Sequence, residues 1–204
     1  MTTRLGVLNA SMVLLGQPTV AALTDTSTWF KRALSQYDDV VRSLLEQHPW
    51  NFPAVCVQLE RLAEEPVSSY AYAHNKPSDF LRINRVAPNN NAEDINDYPY
   101  DDQGGQILSD FEETFLWYIS NKWLTKEGSW PQVFADAVAS EIRARVAPGP
   151  TKSDRKQETA VAHARMTLKK AKSFDASQKR AKQQPPGKWS RARRSGPRYN
   201  TEGN

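Results

Sequence analysis

Apolar residues recur at helical spacing near both ends of the chain and in short runs between them. Leu5, Leu8, Met12 and Leu15, three and four apart, predict a short amphipathic helix over residues 3–15. Gly16-Gln17-Pro18 stops it, because Gly suits the left-handed position after a helix and Pro cannot continue one. The clearest helix spans 28–47, where Phe30, Ala33, Leu34, Tyr37, Val41, Leu44 and Leu45 form a wide apolar face. Asp25, Thr26 and Ser27 offer side-chain oxygens for its N-cap, and His48-Pro49 ends it. A further helix opens at Trp130-Pro131 and continues through Val133, Phe134, Ala137, Val138, Ile142 and Arg145. Residues 152–183 read as helix again, with a thin stripe of Val161, Ala164, Leu168, Ala171 and then Phe174 or Asp175.

The middle of the chain changes period. Residues 54–60, 80–86, 106–108 and 115–119 are short apolar runs divided by Gly, Pro, Asn and Asp clusters, the pattern of an antiparallel sheet. Residues 98–105 read as a turn, and Asn89 through Asp97 as an exposed polar loop. Trp50, directly after the long helix, is expected to plug the core.

Charge divides the chain at Pro148-Gly149-Pro150. Residues 151–204 hold 15 Lys and Arg against 4 Asp and Glu, a net +11, whereas residues 1–150 hold 12 against 19, a net −7. An acidic body of 1–150 is therefore joined to a basic arm of 151–204, with the Pro-Gly-Pro segment as a hinge. The arm has few large apolar residues, so it is expected to need a partner or to stay unfolded, and its thin stripe suits a groove of another subunit. From Gln183 onward, Pro185-Pro186-Gly187 and Ser195-Gly196-Pro197 imply an extended tail. The arm's Lys and Arg, interleaved with Trp189 and Tyr199, fit three uses: contact with phosphates and bases, docking on an acidic protein surface, or a solvated tail.

Catalytic signals are poor. The chain has neither a dinucleotide-binding glycine motif nor a phosphate-binding loop. His48, His74 and His163 lie in unrelated contexts, without metal-ligand spacing. No cofactor is implied. Cys56, the single cysteine, excludes an internal disulfide and is expected to be a small buried hydrophobe; a nucleophile with His48 or His74 as base is the rival reading. Asp101-Asp102 are expected to be turn residues rather than an acid–base pair. No run approaches a membrane span and the N-terminus lacks a signal-peptide pattern, so the expectation is a soluble product made in the cytoplasm.

One set of motifs narrows the choice. Leu44-Leu45-Glu46-Gln47-His48-Pro49-Trp50-Asn51-Phe52 resembles the head-to-tail adaptors of short-tailed phages, the tail tubular protein A family. Asn9-Ala10, Leu15-Gly16-Gln17-Pro18 and Leu23-Thr24-Asp25 are similar to that family's opening. So are Tyr70-Ala71-Tyr72 before Lys76-Pro77-Ser78-Asp79-Phe80-Leu81-Arg82-Ile83, and Phe134-Ala135-Asp136-Ala137-Val138-Ala139-Ser140-Glu141 after Trp130-Pro131. The resemblance covers about residues 5–147. After Phe52 the family pattern has a basic residue that Pro53-Ala54-Val55-Cys56-Val57 lacks.

The resemblance implies an α+β, mainly α fold: a helical bundle (1–50 and 130–147), a smaller antiparallel β-rich part (about 53–120) and an extended C-terminal helical arm and tail. It implies a non-enzymatic virion protein, a homo-oligomeric, twelve-subunit ring between the portal and the tail nozzle, with DNA passing through it and no membrane contact. The arm is then expected to dock on the portal through Val161, Leu168, Phe174, Lys179, Arg180, Trp189, Arg191, Arg193, Arg194 and Tyr199. Loops carrying Asn90, Asp94, Tyr98, Tyr100 and Asp101 are expected to face the nozzle. A DNA-binding protein with a basic arm is the alternative.

Overall fold

A computed structural model of the chain describes residues 2–91, 96–147 and 154–178. The fold is α+β and mainly α: four helices and two three-stranded antiparallel sheets among the described residues. Helix α1 (Arg4–Leu14) buries Val7, Leu8, Ser11 and Met12, and the Thr3 hydroxyl caps it by accepting from Gly6 N–H at 3.0 Å. Gly16 follows at φ 72°, the left-handed geometry expected after a helix end. Helix α2 (Thr28–Gln47) buries Phe30, Ala33, Tyr37, Val40, Val41, Leu44 and Leu45, and His48 terminates it in extended geometry. The side chains expected to cap its start act otherwise: Ser27 makes no capping bond, and Asp25 Oδ1 accepts from Ser27 N–H at 2.8 Å.

Helix α3 (Gln132–Val146) is the centre of the bundle. Nine of its fifteen residues are buried, on nearly every side, because α1, α2 and α4 (Asp154–Ser177) all pack around it. Its N-terminal half meets an aromatic core. Phe134 lies edge-on to both Trp50 (centroids 5.1 Å apart) and Trp130 (5.2 Å), and Phe52 closes on Trp50 and Phe134. Trp50 is 1% exposed, and its Nε1–H donates to the Leu44 carbonyl at 2.7 Å, so the expected plug is also tied to the last turn of α2.

The β-rich part is two sheets rather than one. The first, in the order β1–β6–β3, comprises β1 (Ala54–Gln58), β3 (Phe80–Ala87) and β6 (Phe115–Ser120). The second, β2–β5–β4, comprises β2 (Tyr72–Asn75), β4 (Asp101–Gln103) and β5 (Gln106–Ser109). Their shared core holds Leu59, Val86, Ile107, Leu116 and Tyr118. Strand alternation makes β6 the wall between two cores: Leu116 and Tyr118 face the β core, while Ile119 joins the helical one. Only Gly104 and Gly105 (φ 56° and 85°) form the turn expected over 98–105; Asp101–Gln103 pairs with Gln106–Leu108 as a hairpin.

The same alternation corrects the reading of Cys56. Val55 and Val57 lean on the β core, so Cys56 points outward and is exposed.

Candidate functional site

The basic arm is the strongest candidate, and its described part packs within its own chain. Helix α4, Asp154–Ser177, packs on α3 of its own chain. The stripe seen in the sequence is the contact surface. Ala160 and Ala164 meet Ala144 of α3 and Ala147 just after it, Val161 packs against this seam, and Ala171 and Leu168 join the main helical core. Small side chains let two helix backbones approach closely, so a thin stripe suffices when its partner is equally thin. Val161 and Leu168 are therefore half-buried within the chain.

Polar contacts fix the end of α4. Asp175 is 3% exposed, and its carboxylate accepts from Asn51 N–H at 3.0 and 2.9 Å and from Asn51 Nδ2 at 2.9 Å. The Asp175 carbonyl accepts a further bond from Asn51 Nδ2 at 3.0 Å. Asp175 thus stands on the helical stripe, four residues after Ala171, as a latch onto the segment that follows α2. His48 Nε2 lies 3.9 Å from the same carboxylate, while partial burial pulls the imidazole below its ordinary pKa.

The opposite face of α4 is basic and partly apolar. Arg165, Lys169 and Lys170 are exposed, as are Met166 (63%) and Phe174 (42%). Phe174 is thus the one expected anchor that the described residues place at the surface. Lys179, Arg180, Trp189, Arg191, Arg193, Arg194 and Tyr199 lie outside the described residues, as does the expected hinge Pro148-Gly149-Pro150.

Of the loop residues expected to face the nozzle, Asn90 and Tyr100 are exposed. Tyr98 is half-buried, edge-on to Phe111 at 5.3 Å. Asp101 sits in the β4 ladder opposite Leu108, and Asp94 lies outside the described residues. Asp101 and Asp102 are strand residues, and Asp102 pairs with Lys76.

No nucleophile–base pair is assembled by Cys56. Partial burial pushes its thiol up, although the Arg85 guanidinium opposes this, and an activated thiol needs the reverse. His48 is edge-on to Trp50 at 4.7 Å, and His74 is fully buried in the β part. His74 Nε2 lies 3.0 Å from Thr114 Oγ1 and 3.1 Å from the Phe111 carbonyl, and Thr114 Oγ1 lies 2.9 Å from Ser109 Oγ. Sequence reasoning missed this buried polar chain, whose members are 35 and 40 positions from His74. Being buried at 0% exposure, it braces the sheets and has no surface at which to meet a substrate. Among the described residues no group of three His, Cys, Asp or Glu side chains is placed to hold a metal ion. Nor is any helix among them long and apolar enough to cross a membrane.

The motifs that carry the phage-adaptor resemblance occupy joints of the fold. Trp50 closes the bundle and Asn51 receives the Asp175 latch. Asp79 accepts from Tyr118 Oη at 2.9 Å and Ser120 Oγ at 2.6 Å, with Lys122 Nζ at 3.2 Å. These bonds hold its carboxyl below the usual range, while burial and the bond to Asp79 push the Tyr118 phenol up to about 12. No protein-family model matches this chain, and no curated protein is significantly similar to it.

Proposed function

We propose that this chain is a structural adaptor of a short-tailed phage virion, assembled in the host cytoplasm as a ring between portal and tail nozzle. The observation that carries the reading is that the resembling motifs coincide with structural joints. His48-Pro49-Trp50-Asn51-Phe52 closes the helical bundle, and Asp79 ties β3 to β6 and the turn after it. A fold specified by those joints, with a helical part and a β-rich part on one wall strand, offers two distinct faces, as a two-partner adaptor needs.

The packing of α4 changes how the arm would work. Because residues 154–177 belong to the bundle, portal docking falls to the chain from residue 179 onward, with exposed Phe174 next to its root. Repetition around a ring multiplies weak contacts. The test is removal of residues 179–204. Attachment to portal rings, followed by electron microscopy, is expected to be lost while the body keeps its fold; undiminished attachment contradicts the proposal.

The exposed Arg165, Lys169 and Lys170 row favours one rival, a DNA-binding role. That reading predicts duplex affinity falling steeply with salt and requires no portal.

A further inference from the structure

We propose that two exposed patches on this chain are complementary and join one copy to the next, head to tail. The first is a groove where the start of α3 meets the end of α4. Val133, Met166 and Phe174 supply apolar surface there, and Lys169 and Lys170 supply charge. The groove is open to solvent, and large exposed apolar side chains beside paired cations mark an interaction surface.

The second patch is the tip of the segment between β1 and β2. This segment is braced at its base: Leu62 N–H donates to the Ala73 carbonyl at 2.8 Å, and Ala71 N–H to Asp110 Oδ1 at 3.2 Å. Its tip, Glu64-Glu65-Pro66-Val67, is turned outward, with Val67 fully exposed and both carboxylates in solvent. Glu60, Glu112 and Glu113 extend the acidic surroundings, and the nearby Arg61 is already paired with Glu112 at 2.7 Å. One branched apolar side chain flanked by two carboxylates therefore faces solvent on one part of the fold. An apolar slot flanked by two ammonium groups faces solvent on another.

The two patches are exposed together in a single molecule, so they are not satisfied within it. A second copy satisfies them: Val67 enters the slot beside Met166 and Phe174, and Glu64 and Glu65 meet Lys169 and Lys170. Met suits such a slot because its flexible side chain adapts to the inserted group, and the braced, Pro-containing tip loses little entropy on docking. The chain's own continuation is a poorer occupant, since residues 179–204 carry 8 Lys and Arg against one Glu and the two lysines repel them. Contact between different patches is heterologous, which closes a ring or grows a filament according to its rotation. This inference rests on the oligomeric part of the adaptor reading and not on portal attachment.

The test is sedimentation velocity and mass photometry of the full chain. Wild type is expected to self-associate. K169E/K170E and E64K/E65K are each expected to weaken association at least tenfold, and the four changes combined in one chain to restore it. As a second measurement, V67C with M166C in a Cys56→Ser background is expected to give a covalent ladder beyond dimer on oxidation, which neither single cysteine gives. Wild-type assemblies indifferent to both charge reversals, without a ladder, overturn this interface and leave the ring reading standing. A chain monomeric at all concentrations, again without a ladder, overturns the inference and points to an acidic segment of another protein as the occupant; portal attachment is judged separately by the 179–204 deletion.

Discussion

Helix α3 is held on two sides by opposite means. Toward α1 and α2 it meets bulk: Trp50, Phe30, Tyr37, Trp130 and its own Phe134 interlock around it. Toward α4 it meets mostly small side chains, with Ala144 and the following Ala147 against Ala160 and Ala164, while the far end of α4 is tied by the Asp175 carboxylate to Asn51. The aromatic side is stabilised by buried area. The alanine side gains from close backbone approach, and α4 is held besides by the bonds from Asn51 to Asp175, whose loss leaves donors stranded. Two faces of one helix should therefore fail under opposite substitutions, shrinking side chains on one and enlarging them on the other.

The largest expected effect is on the aromatic side. Trp50→Ala removes a filled core volume and the bond to Leu44, and should cost about 3–5 kcal/mol in chemical unfolding. Next comes the latch. Asp175→Ala strands the Asn51 donors and should cost about 2–3 kcal/mol, with Asp175→Asn recovering part of the loss because one acceptor oxygen remains. Protease cleavage within α4 should rise in the same order. Ala164→Leu adds bulk to a seam with no room for it and should cost about 1–3 kcal/mol, again seen first as cleavage in α4. The same enlargement at an exposed α4 position, Ala162→Leu, should be near neutral. If Ala164→Leu is as harmless as Ala162→Leu, the close-packed seam is wrong.

The smallest effect is one of pH and sharpens the contrast between the helical and β parts. Burial lowers His74 from its ordinary 6.5, as it lowers His48. The unfolded chain therefore takes up these protons more readily than the folded one, so stability is full above about pH 6.5 and falls as pH drops through the lowered values. Urea midpoints at pH 7.5 and 5.5 should show this loss, and His74→Asn should flatten it.

Much of the fold was legible because strong periodicities leave few choices. The α2 face, the stops at Gly16-Gln17-Pro18 and His48-Pro49, and the Trp50 plug all follow from local rules. The α4 stripe was also legible up to Ala171; its last position stood open between Phe174 and Asp175, and the structure buries Asp175. What covers that stripe was not, because a row of alanines does not name its partner, and the charge contrast between body and arm favoured a detached helix. The reading of Cys56 failed for a related reason: in Val55-Cys56-Val57 the apolar run hid a period of two. The His74–Thr114–Ser109 chain left no trace, since its members meet only once two sheets are paired.

Hydrogen exchange on the free, full-length chain tests most directly whether α4 belongs to the bundle of its own molecule. Amides of residues 157–176 are expected to be protected to nearly the same degree as those of α3, and Asp175→Ala to lower protection in α4 well before α3. Exchange throughout α4 at the rate of an unfolded peptide, with α3 still protected, would contradict it.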